Sequence, residues 1–494
     1  MTANDADATG SIAGTGLLGR VHLIGIGGAG MSGIARILLA RGAAVSGSDA
    51  KDSQAVLALR AQGARVAVGH APENLLGGAP TVVVSTAIRA DNPELVAARQ
   101  RGLTVLHRAE ALAALMQGYR AACVTGTHGK TSTTSMLTVT LRRCGWDPSF
   151  VIGADLTVPG SGAHHGAGAV FVAEADESDG SFLHLSPYVA VVTNIEVDHL
   201  DQHGSPEAYV KAFEAFGERI MPGGALVSCV DDSGAARLAA RAEAAGLRVR
   251  RYGRTASSEA DAELIDYQPV GMGGRVRFRS AGDEHTLSIA VLGEHMALNA
   301  LAALLAGLEL GAPMDGLLRG LAGFSGVRRR FEFKGQAGGV AVYDDYAHHP
   351  TEVAAQLRAA REVADGRLLV AFQPHLYSRT RVFYREFGTA LALADEVVVL
   401  DVFAAREDPE PGVSGALIAG AVPLPARRVH YVPRRVEVPA VLVELATVGD
   451  MIITMGAGDV TALGPEVLTE LGLRAVGRVG GDSGVGGDSG VEVS

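Results

Sequence analysis

The sequence predicts an α/β protein built from several parallel-sheet segments, and three observations carry that prediction. Short apolar runs at residues 21–26, 81–85, 121–125, 170–173, 189–193, 367–372, 396–400 and 451–455 alternate with Ala- and Leu-rich amphipathic stretches. That alternation is the pattern of buried parallel strands joined by helices. Two of the runs lead directly into glycine-rich loops, at residues 25–30 and 126–131. A chain of 494 residues also exceeds one ordinary core, so about two to four domains are expected.

The two loops and the basic cluster Arg328-Arg329-Arg330 mark out three segments, residues 19–117, 118–327 and 328–478. Residues 1–18 read as a disordered N-terminus. Residues 479–494, which hold GGDSGV twice, read as a disordered tail of low complexity.

Charge and cysteine content exclude several classes of function. The net charge is −11 and no basic tract is interleaved with aromatics, so nucleic acid is not an expected partner. Cys123, Cys144 and Cys229 are an odd number with no C-x-x-C pair, which points to a reducing compartment. The polar N-terminus lacks the basic and apolar regions of a secretory signal. No run approaches the roughly 18 apolar residues of a membrane span. The expectation is a cytoplasmic protein with no membrane partner, a monomer or a homodimer.

The first loop, Gly25-Ile26-Gly27-Gly28-Ala29-Gly30, fits G-x-G-x-x-G between a strand-like run and a helical stretch. A second strand-like run then ends at Asp49. Glycines for a tight turn, backbone N–H groups facing a diphosphate and an acid near a ribose make up a mononucleotide-binding fingerprint. The fingerprint does not say which nucleotide; taken alone it favours NAD and an oxidoreductase.

The second loop, Gly126-Thr127-His128-Gly129-Lys130-Thr131-Ser132, lies between a strand-like run and a helix start. Its amides can cradle phosphates, Lys130 can reach the terminal phosphate of ATP, and the Thr131 hydroxyl can ligate Mg²⁺. The strict P-loop pattern is not met, because Val124 stands where its first glycine belongs. An oxidoreductase has no use for this second site, so the pair of loops points to an enzyme using both a nucleotide-linked substrate and ATP.

Acids and histidines follow the later strand-like runs. Glu174, first after its run, is the leading Mg²⁺ candidate, with Asp176, Glu177 and Asp179 behind it. His199 ends the string from Asn194; since hard cations prefer oxygen, a hydrogen-bonded loop histidine is the competing reading. Asp344 to Pro350 crowd acids, Tyr346, His348 and His349 into one loop. Further on, Arg379 and Arg381 can hold a carboxylate.

The strings HLIGIGGAGMSGIA, GTHGKTST, EADESDGSF, TNIEVDH, GVRRRFE, DDYAHHPTE, FQPHLYSRTR and MGAGDV, in this order, resemble the Mur ligases from about residue 21 to residue 464. Among these the likeness is to the enzymes that attach L-alanine to UDP-N-acetylmuramate. The resemblance implies three domains: a Rossmann-like N-terminal domain, a central P-loop-type ATPase domain and a Rossmann-like C-terminal domain. It implies ATP and Mg²⁺, with the UDP-sugar on Gly25, Gly27, Gly28, Gly30, Met31 and Asp49. Lys130 would contact the γ-phosphate, and Thr131, Glu174 and His199 would serve Mg²⁺. His295 and Asn299 match positions near the adenine, Asp345 one facing ATP, and Arg329 one close to the phosphates. Tyr346, His348, His375 and Arg379 match the amino-acid pocket, and His348 is a candidate base. Two positions depart from the pattern: Met296 replaces an Asn of many relatives, and Leu376 an Arg of some. The alternatives are a ligase recycling murein tripeptide onto the same sugar nucleotide, an NAD-dependent oxidoreductase, and a catalytically silent UDP-sugar sensor.

Overall fold

Three sheets organise the chain in the computed structural model, which describes residues 19–75, 80–156, 161–254, 260–405 and 407–481. The chain divides after Val327 into two units. The first unit holds two of the sheets and the second unit, from Arg328, holds the third. Residues 1–18 and 482–494 lie outside the described residues, and the last helix runs through 479 to Gly481.

The first sheet consists of β1 (Arg20–Ile24), β2 (Ala44–Asp49), β3 (Arg65–Val68), β4 (Thr81–Val84) and β5 (Val105–His107), all parallel, in the order β3-β2-β1-β4-β5. Its helices are α1 (Ala29–Ala40), α2 (Gln54–Ala61), α3 (Pro93–Gln100) and α4 (Arg108–Met116). The order reverses between β1 and β4, so the loops leaving those strands part and open a crevice at the sheet's C-terminal edge. The first glycine loop leaves β1 there. Helix α3 brings Glu94 into the interior, 0% exposed. Its carboxylate accepts hydrogen bonds from His22, Ser48, Asn74 and the Ala71 amide.

The central sheet runs β15-β14-β13-β12-β11-β10-β6-β9-β7-β8. Its strands are β6 (Arg120–Thr125), β7 (Ser149–Val151), β8 (Ala163–His164), β9 (Val170–Glu174), β10 (Val189–Val192), β11 (Ala225–Cys229), β12 (Arg248–Gly253), β13 (Ala262–Val270), β14 (Gly273–Ser280) and β15 (Asp283–Ile289). The strands from β7 to β13 pair in parallel, whereas β14 and β15 extend one edge as an antiparallel meander and β8 pairs antiparallel at the other. In β14 buried residues alternate with exposed ones, the period of a strand with one wet face. That meander was not anticipated from the βα alternation. The helices are α5 (Lys130–Arg143), α6 (Leu200–His203), α7 (Pro206–Gly217), α8 (Ser233–Ala244), α9 (Glu294–Leu310) and α10 (Met314–Ala322). Helix α9 is apolar nearly all round and lies in the core. Helix α1 packs on this sheet through Gly33, where a Cβ would stand 3.1 Å from Val151.

The third sheet runs β16-β17-β21-β18-β19-β20, from β16 (Glu332–Ala337), β17 (Val340–Asp345), β18 (Leu368–Phe372), β19 (Glu396–Val399), β20 (Val429–Tyr431) and β21 (Met451–Met455). Only β16 runs antiparallel. It carries α11 (Pro350–Val363), α12 (Tyr377–Leu391), α13 (Gly415–Ala421), α14 (Val438–Leu445) and α15 (Leu463–Gly481). The adjacent parallel strands β17, β21 and β18 end on one edge, so the segments at 346–350, 456–460 and 373–376 gather there. Among the described residues no helix is long and apolar enough to cross a membrane.

Candidate active site

The first glycine loop is built on β2. The amides of Gly25 and Ile26 donate to the Ser48 carbonyl, and the Gly27 amide donates to Asp49 Oδ2 at 2.8 Å. Gly25 needs its glycine, with φ at +77°. A Cβ on Gly27 would come within 2.9 Å of Asp49 Oδ2. Asp49 therefore shapes the loop as well as standing where a ribose acid belongs. Gly28 starts α1 with no side-chain cap, which leaves its first-turn amides to an anion. Met31 is 3% exposed and its side chain belongs to the core, so its backbone N–H is what it can offer a ligand. The small Gly30 gives room to Arg108, whose Nη1 would lie 2.8 Å from a Cβ there. Arg108 pairs with Asp176 of the central domain at 3.0 Å.

The second loop joins β6 to α5 and is tied to the segment after β10. The Thr127 amide donates to the Asn194 carbonyl, the His128 amide to Asn194 Oδ1, and the Thr127 hydroxyl to the Glu196 carbonyl. Gly126 has φ +127°, and a Cβ there would sit 2.1 Å from Thr193 Oγ1. Strain of this kind costs about 1–3 kcal/mol, so Gly126→Ala is expected to lower folding stability by about that amount. Urea denaturation of the variant beside the native protein checks this.

Lys130 opens α5 and folds back over its own loop. Its Nζ donates to the carbonyls of Gly126 (2.7 Å) and Thr127 (3.0 Å) and to Glu177 Oε1 (3.0 Å). Glu177 is 0% exposed, and burial pushes its carboxyl up to about 7 although Lys130 opposes this. Burial would lower Lys130, but Glu177 and then Asp176 hold it above its ordinary value, so it stays charged. Burial would likewise raise Asp176, yet Arg108 and Lys130 hold it well below the usual carboxylate range. Thr131 Oγ1 donates to Glu174 Oε1 at 3.0 Å, and Glu174 Oε2 accepts the Gly153 amide at 2.8 Å. His199 sits at φ +52°, its Nε2 3.8 Å from Glu177 Oε1 and 3.6 Å from Asp198 Oδ2. The buried Ser132 follows on α5.

The pair Lys130-Thr131, Glu174 and His199, from three separate stretches of the chain, thus meet at the ends of β6, β9 and β10. A hydroxyl and a carboxylate converging beside a lysine suit Mg²⁺, which prefers oxygen donors and usually shares them with phosphates. His199 faces carboxylates rather than that pair. Asn299, on α9, lies against the loop itself, its Oδ1 2.8 Å from where a Gly129 Cβ would be. Its amide donates to the Met296 thioether at 3.7 Å, so Met296 is turned to a local contact. His295 is half-buried at the start of the same helix.

In the second unit Asp345 ends β17. Both its oxygens accept backbone amides, from Phe331 at 2.7 Å and Ala347 at 2.8 Å. It pins its loop before it can face any ligand. Burial pushes it up to about 6, against Arg330 and these amides. The folded state therefore keeps a proton that the unfolded chain has released, and stability falls as pH rises from about 4 to about 6. Urea denaturation across that window is expected to show this slope in the native protein and to lose one proton's worth of it in Asp345→Asn.

Arg329, at φ +59°, donates to the carbonyls of Gly456 and Gly458, with Nε 3.6 Å from the buried Asp344. Its guanidinium covers the Tyr346 ring at 4.7 Å. His348 Nδ1 lies 3.1 Å from the Tyr346 carbonyl and 3.3 Å from Glu352. His375 Nδ1 is 3.4 Å from Arg379 Nη1. Leu376, at φ +71°, packs inside, and Arg379 is buried while Arg381 is exposed and pairs with Glu410. The sequence ranks Glu177 behind Glu174 and passes over Arg108 and Glu94, while Asp344 is counted in the 344–350 loop without a role of its own. A charged residue just after a strand is the available signal for Arg108; nothing local marks Glu94.

Comparison with known proteins identifies the family. Family models match at residues 20–120 (Mur ligase family, catalytic domain), 124–307 (Mur ligase middle domain) and 329–458 (Mur ligase, glutamate ligase domain). The UDP-N-acetylmuramate–L-alanine ligase of Saccharopolyspora erythraea is 67% identical, over 92% of this chain and 94% of its own. That of Mycolicibacterium smegmatis is 59% identical, over 92% and 96%. The crystal structure of UDP-N-acetylmuramate-alanine ligase from Thermotoga maritima superposes with a TM-score of 0.76 at 27% identity, covering 94% of this chain and 100% of that one. A murein peptide ligase from Psychrobacter arcticus shares the fold, with a TM-score of 0.69 at 24% identity over 92% and 98%. With a model matched on each of its three sheets and relatives this similar along nearly its whole length, the chain belongs to the Mur ligase family.

Proposed function

We propose that this chain joins L-alanine to the muramoyl carboxylate of UDP-N-acetylmuramate, with ATP converted to ADP and phosphate, in the synthesis of peptidoglycan precursors. The observation that carries the reading is the pairing, in one unit, of a diphosphate-type loop at Gly25–Gly30 with a lysine-bearing phosphate loop, in a chain 67% identical to a ligase of that name. A silent sensor would have no need of Lys130, Thr131, Glu174 and His199 together, and an NAD-dependent oxidoreductase none of Lys130.

In this reading residues 19–117 hold the UDP-sugar, 118–327 hold ATP and 328–478 bring the amino acid. A carboxylate is a poor acceptor for an amine, so it is first activated. Its oxygen bonds to the γ-phosphorus, the bond to ADP breaks, and an acyl phosphate results. The alanine amine then bonds to the acyl carbon and phosphate leaves. Anion attacking anion needs charge neutralisation, which Lys130 is placed to give once the γ-phosphate draws it from the Gly126 and Thr127 carbonyls. Thr131 and Glu174 offer oxygen ligands, and His199 an imidazole, for Mg²⁺, which when bound supplies further neutralisation. Arg379 would hold the alanine carboxylate. His348, oriented through Nδ1 by the Tyr346 carbonyl and Glu352, would take the amine's proton. The reaction belongs in the cytoplasm, where ATP is at hand and the three cysteines stay reduced.

Phosphate release from ATP by the purified protein given UDP-N-acetylmuramate, with and without L-alanine, tests the proposal. Release that needs both, with a product heavier by one alanyl residue, supports it. Release only with murein tripeptide transfers the chain to the recycling reaction, and no release with either overturns the catalytic reading.

A further inference from the structure

Four rings stand in an unbroken row at the C-terminal edge of the third sheet. Tyr346 and His348 meet at 5.2 Å between centroids, His348 and His375 at 6.0 Å, and His375 and Phe403 at 5.9 Å. The first two contacts are edge-on, and the last is stacked with an interplanar angle of 14°. Tyr346, His348 and His375 belong to the amino-acid site proposed above. Phe403, on the segment after β19, has no part in it so far.

Phe403 is held in place more firmly than a surface ring needs to be. Its backbone locks beside His375, the Leu376 amide donating to the Phe403 carbonyl (3.0 Å) and the Phe403 amide to the Pro374 carbonyl (2.8 Å). Opposite, a Cβ on Gly458 would fall 2.7 Å from Phe403 Cγ, so the ring's position depends on a glycine there. Glu407 and Glu410, further along the chain, are tied to α12. That helix starts at Leu376 with no side-chain cap of its own. Glu407 accepts from both the Ser378 amide and the Ser378 hydroxyl, and Arg381 pairs with Glu410 at 3.0 Å. A carboxylate borrowed from a neighbouring segment satisfies the orphan amide of the first turn and suits the positive end of the helix. Phe403 is nevertheless only half-buried.

We propose that Phe403 is a specificity-determining residue, the rigid wall that keeps the amino-acid site to the size of alanine. The proposal rests on the reading of Tyr346, His348, His375 and Arg379 as that site. An amino acid whose carboxylate lies on Arg379, next to His375, carries its side chain two bonds away, within reach of the His375–Phe403 stack. A ring free to swing would yield to a larger side chain, whereas one wedged between His375 and Gly458 does not, so added methylenes are refused by contact.

The test compares kcat/KM for L-alanine, L-valine and L-leucine, with UDP-N-acetylmuramate and ATP, in the full-length native protein, F403A and F403L, each checked for folding by circular dichroism. In F403A the leucine-to-alanine ratio is expected to rise about tenfold or more, and in F403L, which keeps the bulk but not the ring, by less. A ratio unchanged in the folded variants, whatever the absolute rates, overturns the proposal and leaves Phe403 a packing residue. If F403A fails to fold, the ratio in F403L decides. A native protein that ligates L-alanine while the ratio stays fixed sinks only this inference; one that ligates no amino acid sinks the reading of the site and the inference with it.

Discussion

Lys130→Ala is expected to lower turnover by at least about a thousandfold while leaving the affinity for UDP-N-acetylmuramate unchanged within about twofold. The lysine is the cation placed on the phosphate loop, and it stays charged because Glu177 and Asp176 surround it. The glycine loop proposed for the UDP-sugar lies on a different sheet, supported by Ser48 and Asp49, and does not depend on it. The same change should cost little stability. Glu177 loses its partner, but burial has already pushed it up to about 7, so it relieves the lost charge by taking a proton. Lys130→Met keeps the stem and drops the charge, which separates packing from electrostatics. Phosphate release together with calorimetric titration of both nucleotides reads the outcome. Equal loss of UDP-sugar binding would contradict this division of labour between the loops.

Glu94→Ala is expected to be the most destabilising change in the first domain, by about 3–5 kcal/mol. Its two oxygens serve Ser48 and His22 on one side and Asn74 and the Ala71 amide on the other. Removing it strands buried donors on β1 and β2 and half-buried ones on the segment after β3. Glutamine restores one acceptor but sets an amide donor against donors on the other side, so Glu94→Gln recovers only part. Burial would raise the Glu94 carboxyl, but the bonds from His22, Ser48 and Asn74 hold it below its ordinary value. Its contribution is therefore present above the unfolded-state value and lost as pH falls through the lowered one. The gap between native protein and variant should narrow in acid, as urea denaturation at two pH values will show. Because the Ser48 carbonyl carries the turn at Gly25, UDP-sugar affinity should fall as well.

Much of this protein can be read before it folds. Glycines at tight turns, a lysine and a threonine at a helix start, and acids just past apolar runs are local features, because turn geometry and helix ends are set by neighbours in sequence. The three α/β segments were legible for the same reason: buried parallel strands need unbroken apolar runs. The antiparallel meander of β14 and β15 was not, since its half-exposed strands lack such a run. Helix α5 was legible only from the loop before it. Its Thr- and Ser-rich turns look solvent-facing yet are buried, with Thr134 and Thr138 donating back to the carbonyls of Lys130 and Thr134.

What the sequence determined by itself was which chemical groups the protein brings: two glycine loops, a lysine and a threonine at a helix start, carboxylates beside the strand ends and arginines on the run after residue 372. Which of those groups are spent on the protein itself, only the tertiary structure decided. Asp345 is occupied by the amides of Phe331 and Ala347, Met31 is taken into the core, and Asn299 is set against the phosphate loop. Glu177, one acid among several in the string, became the buried partner of Lys130 and His199. The reason is physical. A carboxylate's role depends on the water it loses and the donors it gains, and both are set by segments that meet only once the sheets have formed.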